Sequence, residues 1–222
     1  MTRIVVKVGG AVASSVAKQI LDLATDCCEV CVVHGAGPQI SEEMRRRGLA
    51  VEFVGGRRVT SPQALEVVRD SFAAVNAALC ETIGPRAVPL FGDRIGLAAQ
   101  HVPELGLVGD PLSCRPAAIE AALAEGLIPV VAPLAQGPLN VNADEAASAL
   151  AIGLGAERIL FLTDVPGLML DGSVVTAIGT GAAEGLLDAD ELEGGIVPKL
   201  RAAVTAAKLG VRAEIGETAV VA

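Results

Sequence analysis

The sequence has no tryptophan, no tyrosine and only four phenylalanines in 222 residues. It therefore lacks the aromatic platforms on which single-stranded nucleic acids stack. Positive charge is scarce as well: 17 Lys+Arg stand against 26 Asp+Glu, a formal net charge of −9. No nucleic acid and no anionic membrane is implied as a partner. No apolar run approaches the roughly 18 residues needed to cross a bilayer. The chain enters a strand pattern at Thr2-Arg3-Ile4-Val5-Val6 with no signal-peptide core before it, which points to a cytoplasmic protein. Disorder is excluded, because charged residues are only 19% and the AVILMFWYC set is 52%.

Two familiar signatures are also missing. No G-x-x-x-x-G-K-[ST] run exists, so there is no P-loop. Gly35-Ala36-Gly37-Pro38-Gln39-Ile40 starts like a dinucleotide fingerprint, but Pro38 intrudes and Ile40 stands where a small residue belongs. Of the five cysteines, Cys28-x-x-Cys31 has metal-like spacing. It has neither a second pair nor a suitably spaced histidine, so reduced structural thiols are expected and no metal site.

What is present is an alternation of short β-branched runs with longer Ala/Leu-rich segments. Strands are expected at Ile4–Val8, Val30–His34, Ala87–Phe91, Leu127–Ala132, Arg158–Thr163 and Arg212–Ile215. Helical patterns lie near 14–25, 38–47, 62–83, 116–125, 143–154 and 198–209. Continuously apolar strands joined by helices predict an α/β fold with a mostly parallel sheet covered on both faces. Hairpins are expected at Val51–Gly56 and around Asp171-Gly172. No repeat or linker divides the chain, so it reads as one domain over 1–222, its two halves meeting at a crevice.

Candidate chemistry sits at glycine-rich strand ends. Lys7-Val8-Gly9-Gly10 closes the first strand and His34-Gly35-Ala36-Gly37-Pro38 the second. Each loop precedes a helix whose free N–H groups favour an anion. Lys7 ends an otherwise apolar strand, where a charge needs a partner. Lys199 follows Gly194-Gly195-Ile196-Val197-Pro198 in a first helical turn, the end where the macrodipole disfavours cations. Two lysines beside paired glycines suit a clamp on a phosphoryl group, although each alone reads as a solvated surface residue. Asn140-Val141-Asn142-Ala143-Asp144, if extended, puts both amides and the carboxylate on one face; Asp144 alone would serve as a helix N-cap. Arg58, beside a Gly-Gly turn, offers a fork for a carboxylate. His34 reads as a satisfied strand-end imidazole, and His101 as an exposed loop residue.

Together these segments, with Gly56-Arg57-Arg58-Val59-Thr60, Leu107-Val108-Gly109, Ile128–Pro133 and Leu162–Gly167, resemble the amino acid kinase family in order and over most of the chain. The branch most resembled phosphorylates N-acetyl-L-glutamate. The resemblance implies an αβα sandwich around an open, mostly parallel sheet. Residues 1–135 would form the substrate half and 136–222 the nucleotide half. It further implies ATP, with Mg2+ carried by the nucleotide, and a product acyl phosphate for arginine biosynthesis. Lys7 and Lys199 resemble the lysines that neutralise the transition state, and Asp144 the carboxylate that orients them. Gly10, Gly35 and Ala36 would offer N–H groups toward the phosphoryl group or substrate. Arg58 would hold the α-carboxylate with Asn140 and Asn142 nearby. Gly9, Thr163, Asp164, Val165, Pro166, Gly167, Leu168, Glu191, Leu192 and Glu193 would line the nucleotide pocket.

Departures from the family pattern concern Ala36, which stands where the family has glycine and whose Cβ threatens to crowd a phosphoryl group or forbid a positive φ. The 176–190 connection also looks short, and the chain ends soon after residue 215. A carrier-protein-linked aminoadipate or glutamate kinase, or a binding module that does not turn over, is the alternative. The seam Leu65, Val68, Phe72, Val75, Leu79 suits packing against another helix, although an ordinary core-facing helix of the same subunit has the same spacing. With the resemblance, it implies a homodimer. Only three residues precede the first strand, so the resemblance also implies insensitivity to L-arginine.

Overall fold

The computed structural model of the protein describes residues 2–9, 14–25, 28–162, 166–189, 192 and 194–222. Its first elements are β1 (Thr2–Val8), α1 (Ser14–Thr25), β2 (Cys28–His34), α2 (Gly37–Arg46), β3 (Phe53–Val54), β4 (Arg57–Arg58) and α3 (Pro62–Ile83). There follow β5 (Ala87–Phe91), α4 (Gly92–Ile95), β6 (Ala99–His101), β7 (Val108–Pro111), α5 (Ala117–Ala124) and β8 (Ile128–Ala132). Next come β9 (Leu134–Ala135), β10 (Leu139–Val141), α6 (Ala143–Gly153), β11 (Arg158–Leu162), β12 (Met169–Leu170) and β13 (Ser173–Val174). The chain closes with β14 (Ala177–Gly179), α7 (Thr180–Asp188), α8 (Ile196–Lys208), β15 (Arg212–Ile215) and β16 (Thr218–Val221).

The main sheet has eight strands in the order β14-β16-β15-β11-β1-β2-β8-β5, parallel except where β16 runs against β15. Strand periodicity divides its side chains between two cores. Ile4, Val6, Val8, Val30 and Val32 join Ile20 and Leu79, from α1 and α3, on one face. Val5, Cys31, Val33 and Phe161 join Ala147, Leu150 and Ala203, from α6 and α8, on the other. Lys7 shares the parity of Val5, so its side chain starts toward α6. β1 lies between β11 and β2, so the chain departs in opposite directions at its carboxyl end. Ligand crevices form at such a switch point.

The two cysteines of the Cys28-x-x-Cys31 pair fall on opposite faces of β2, with Cys31 wholly buried and its thiol pushed up to about 12 by burial. They cannot meet as a ligand or redox pair.

Four expectations are corrected or resolved. The segments 99–111 and 134–141, on either side of α5 and β8, build a second, four-stranded sheet, β6-β7-β10-β9, whose short strands show no sustained alternation. The first hairpin turns at Gly55-Gly56, both with positive φ, so Arg57 and Arg58 form its return strand. Of the two readings of the α3 seam, the core-facing one holds: Leu65, Val68, Phe72, Val75 and Leu79 are all buried within the subunit. Finally, the residues after 215 form β16, which turns back through Gly216-Glu217 and pairs with both β15 and β14. The Asp171-Gly172 hairpin forms as expected, with both central residues at positive φ.

Candidate active site

The N-termini of α6 and α8 and the end of β1 meet at Asp144. Asn142 is the N-cap of α6: its Oδ1 accepts from Asp144 N at 2.8 Å and Glu145 N at 3.2 Å. Asp144 is therefore inside the first helical turn and not the cap itself, and the extended reading of Asn140–Asp144 stops at Asn142. Asn142 followed three residues later by Glu145 is a helix-start pattern that signals this in the sequence. Helical geometry then turns the Asp144 carboxylate inward, where only 5% of the residue is exposed. Lys7 Nζ lies 2.9 Å from its Oδ1 and Lys199 Nζ 3.6 Å from its Oδ2. One carboxylate thus holds two ammonium groups that otherwise repel each other. Lys199 also donates to Gly195 O at 3.3 Å. Burial, and the neighbouring Lys7 charge, pull Lys199 below the ordinary lysine range, while Asp144 raises it. The N-terminus of α8 has no side-chain cap, leaving its first N–H groups beside Lys199 for an anion.

Arg58 supplies a second cationic feature. It is 6% exposed and donates to Gly37 O at 3.1 Å and Ser41 Oγ at 2.8 Å, with Phe53 stacked 4.5 Å from its guanidinium carbon. Among the described residues no carboxylate lies within ion-pair distance. Burial first, then Arg45, brings its pKa down to about 10. A buried guanidinium without a counter-ion is costly unless a ligand supplies the anion.

The remaining expected residues are placed as follows. Asn140 Nδ2 donates to Thr60 Oγ1 at 3.0 Å, and Thr60 donates to Arg58 O at 2.7 Å. Asn142 Nδ2 donates to Gly56 O at 3.1 Å. Both amide Nδ2 groups thereby brace the two ends of the Arg57-Arg58 strand. Gly35 N donates to Val8 O at 2.8 Å, so its N–H is part of the strand ladder and not offered to a ligand. Ala36 has φ −146 and packs with Ile40, Met44 and Phe72. Its Cβ is core, and no positive φ is needed there. Gly9 sits where an added Cβ would meet nothing within 4 Å, an open position at the mouth of the site. Gly10, Thr163, Asp164, Val165, Glu191 and Glu193 lie outside the described residues. Leu168 is wholly buried, with its N–H given to Thr218 Oγ1 at 2.8 Å, and Glu217 N donates to Pro166 O at 2.7 Å. The β15–β16 turn thus supports the 166–168 segment from below. Pro166 is exposed, Gly167 is buried, and Leu192 packs against the main core.

His34 serves the scaffold, as its sequence context suggests. Asn76 Nδ2 donates to Val130 O at 2.9 Å and lies 3.0 Å from His34 Nε2, which accepts, so the neutral ring keeps its proton on Nδ1. Burial lowers its pKa to about 4. Between that value and the unfolded 6.5, only the unfolded chain binds the proton, so stability falls as pH drops through this window. The full loss approaches roughly 3 kcal/mol. Urea unfolding at pH 4.5 and 7 should show this slope in the wild type and a weaker one in His34→Gln.

With that geometry in view, a family model described as "Amino acid kinase family" matches residues 2–216. The chain belongs to the amino acid kinase family. This amino acid kinase is 40% identical to the acetylglutamate kinase of Rubrobacter xylanophilus, over 97% of its own length and 88% of that protein. It is 38% identical to the acetylglutamate kinase of Gloeobacter violaceus, over 95% and 78% respectively. Among solved structures, smu.665 from Streptococcus mutans superposes with a TM-score of 0.89 at 26% identity, covering 99% of this chain and 98% of that one. N-acetylglutamate synthase from Neisseria gonorrhoeae, complexed with coenzyme A and N-acetyl-glutamate, gives 0.84 at 21% identity, over 100% and 59%, and shares the fold. No helix among the described residues is long and apolar enough to cross a membrane.

Proposed function

We propose that the protein transfers the γ-phosphoryl group of ATP to the side-chain carboxylate of N-acetyl-L-glutamate, the step that commits this acyl amino acid to arginine synthesis. The observation that carries the reading is the Lys7–Asp144–Lys199 cluster at the end of β1, with the unpaired Arg58 guanidinium on the substrate side. The relatives named above agree with it.

The acceptor carboxylate is ionised at neutral pH, so no general base is required. A carboxylate oxygen forms a bond to the γ-phosphorus while the bond to the bridging oxygen breaks and ADP leaves. The difficulty is bringing two anions into line, and the protein answers with charge and position. Lys7 and Lys199 neutralise the transferring group from two sides, and Asp144 keeps both ammonium groups aimed at it. Arg58 anchors the remote α-carboxylate. The uncapped α8 N-terminus and the 166–168 segment fit the phosphates and body of ATP, with Mg2+ arriving on the nucleotide. In this reading residues 1–135 hold the acyl amino acid and 136–222 the nucleotide. The homodimer rests on the sequence resemblance.

Release of ADP, coupled to an optical readout, should be fastest with N-acetylglutamate and much slower with N-acetylaspartate or free aminoadipate. Preference for aminoadipate on a carrier protein would instead select the carrier-linked reading, and no turnover with any acceptor the binding module. A variant probes the nucleotide side. Gly216 has φ +55, and a Cβ there would collide with Pro166 O. Gly216→Ala should cost about 1–3 kcal/mol and, by shifting the 166–168 segment, raise KM for ATP more than KM for N-acetylglutamate. Thermal melting and steady-state kinetics check both.

A further inference from the structure

The β3–β4 hairpin carries Arg58, yet little apolar burial holds it. Phe53 and Val54, the whole of β3, are 54% and 58% exposed. A two-stranded ribbon is marginal by itself in water. Its position is therefore set by the polar contacts of the return strand. Arg58 and Arg57 are successive strand residues and point to opposite sides. Arg58 reaches α2, whereas Arg57 reaches α6 and β7: its Nε lies 3.0 Å from both carboxylate oxygens of Glu145, and its Nη2 lies 2.8 Å from Asp110 Oδ1. The side chains of Arg57 and Glu145 are only 22% and 14% exposed, so water screens them less than an open surface pair. They form one wall of a cleft of about 180 Å3 that also includes Ser148 and Arg201. Close to the same tip, Gly56 lies against Pro198, the residue before Lys199: an added Cβ would come 3.3 Å from the proline Cβ.

Two adjacent pairs are thereby set against each other. Arg58 faces the substrate side and its neighbour Arg57 faces away; Asp144 faces the lysines and its neighbour Glu145 faces Arg57. We propose that Arg57 and Glu145 are positioning residues whose ion pair ties the strand bearing Arg58 to the helix bearing Asp144, and so sets the affinity for the acyl amino acid. The inference rests on the functional reading above for the identity of that ligand, and on contacts within the chain for the tie itself. Asp110 anchors the far side of Arg57, and Asn142 to Gly56 O supplies a second, neutral link. Loss of the pair therefore loosens the hairpin without releasing it.

The test uses the full chain with Arg57→Met, Glu145→Gln, the double variant and Arg57→Lys. Amide hydrogen exchange over residues 53–59, measured without substrate, should quicken by about tenfold in the first three. KM for N-acetylglutamate should rise about threefold to tenfold, with KM for ATP unchanged and kcat little altered. The double variant should be no worse than Arg57→Met alone, because Glu145→Gln then removes a contact already lost. Arg57→Lys should retain part of the wild-type KM. Unchanged exchange in the hairpin, equal movement of both KM values, or additive effects in the double variant would each overturn the proposal. The exchange measurement needs no substrate, so it judges the pair even where N-acetylglutamate proves to be the wrong acceptor.

Discussion

Lys199→Ala will lower kcat by about two to three orders of magnitude, the scale seen when one preorganised donor to a developing charge is removed. KM for either substrate should change little, because the ammonium does most of its work on charge that builds only during transfer. Lys7→Ala should behave alike. Lys7 and Asp144 are each 5% exposed, so that variant will also lose stability, because the carboxylate keeps only the more distant Lys199 at 3.6 Å. Lys199 is half-buried and gives the cleaner test. Lys199→Arg should fall well below wild type too, since a planar fork does not replace a compact ammonium that must reach both Asp144 and the transferred group. Steady-state rates at saturating substrates, with melting curves to confirm folding, decide the matter. Near-wild-type turnover of folded Lys199→Ala would remove the cluster from the chemistry.

Arg58→Ala should raise KM for N-acetylglutamate at least about tenfold, the equivalent of roughly 1.5–3 kcal/mol for a charge-assisted contact. KM for ATP should stay near its wild-type value. Arg58→Lys should recover little, because Nη2 reaches Gly37 O and Ser41 Oγ while Nη1 reaches Met44 Sδ, a spread that a single ammonium does not reproduce. Isothermal titration with N-acetylglutamate alone gives the same comparison without turnover. An unchanged affinity would place the carboxylate site elsewhere.

The arrangement was legible in the sequence wherever local periodicity decided the outcome. β5 and β15 run over Ala87–Phe91 and Arg212–Ile215, α3 spans 62–83, and six of the eight strands of the main sheet fall on their expected apolar runs, β14 and β16 being the exceptions. The lysines stood out because a charge inside an apolar strand, or at the wrong end of a helix, needs a partner from elsewhere. What stayed hidden depends on contacts between distant segments. The α3 seam has the same spacing whether it meets a second subunit or the sheet beneath it. Asn140 and Asn142 alternate as they would beside a ligand, yet their Nδ2 groups reach Thr60 and Gly56, 80 and 86 residues earlier. The ladder bond of Gly35 likewise depends on β1 lying alongside, which a glycine-rich loop does not disclose. The pairing of Arg57 with Glu145, 88 positions away, has no local signature either.

One consequence of the way β1 divides its side chains concerns insertions and deletions. Removing one residue before Lys7, such as Val6, would keep a lysine near the strand end and barely change the composition. It would also reverse the parity of that lysine. The ammonium would emerge on the side of Ile20, Ala24, Leu79 and Ile83, an apolar cluster among whose described residues there is no carboxylate. Asp144 would face a valine. At this position the proposed charge clamp is encoded by whether a count is odd or even as much as by the identity of the residue, and a substitution scan that holds length constant would never reveal it.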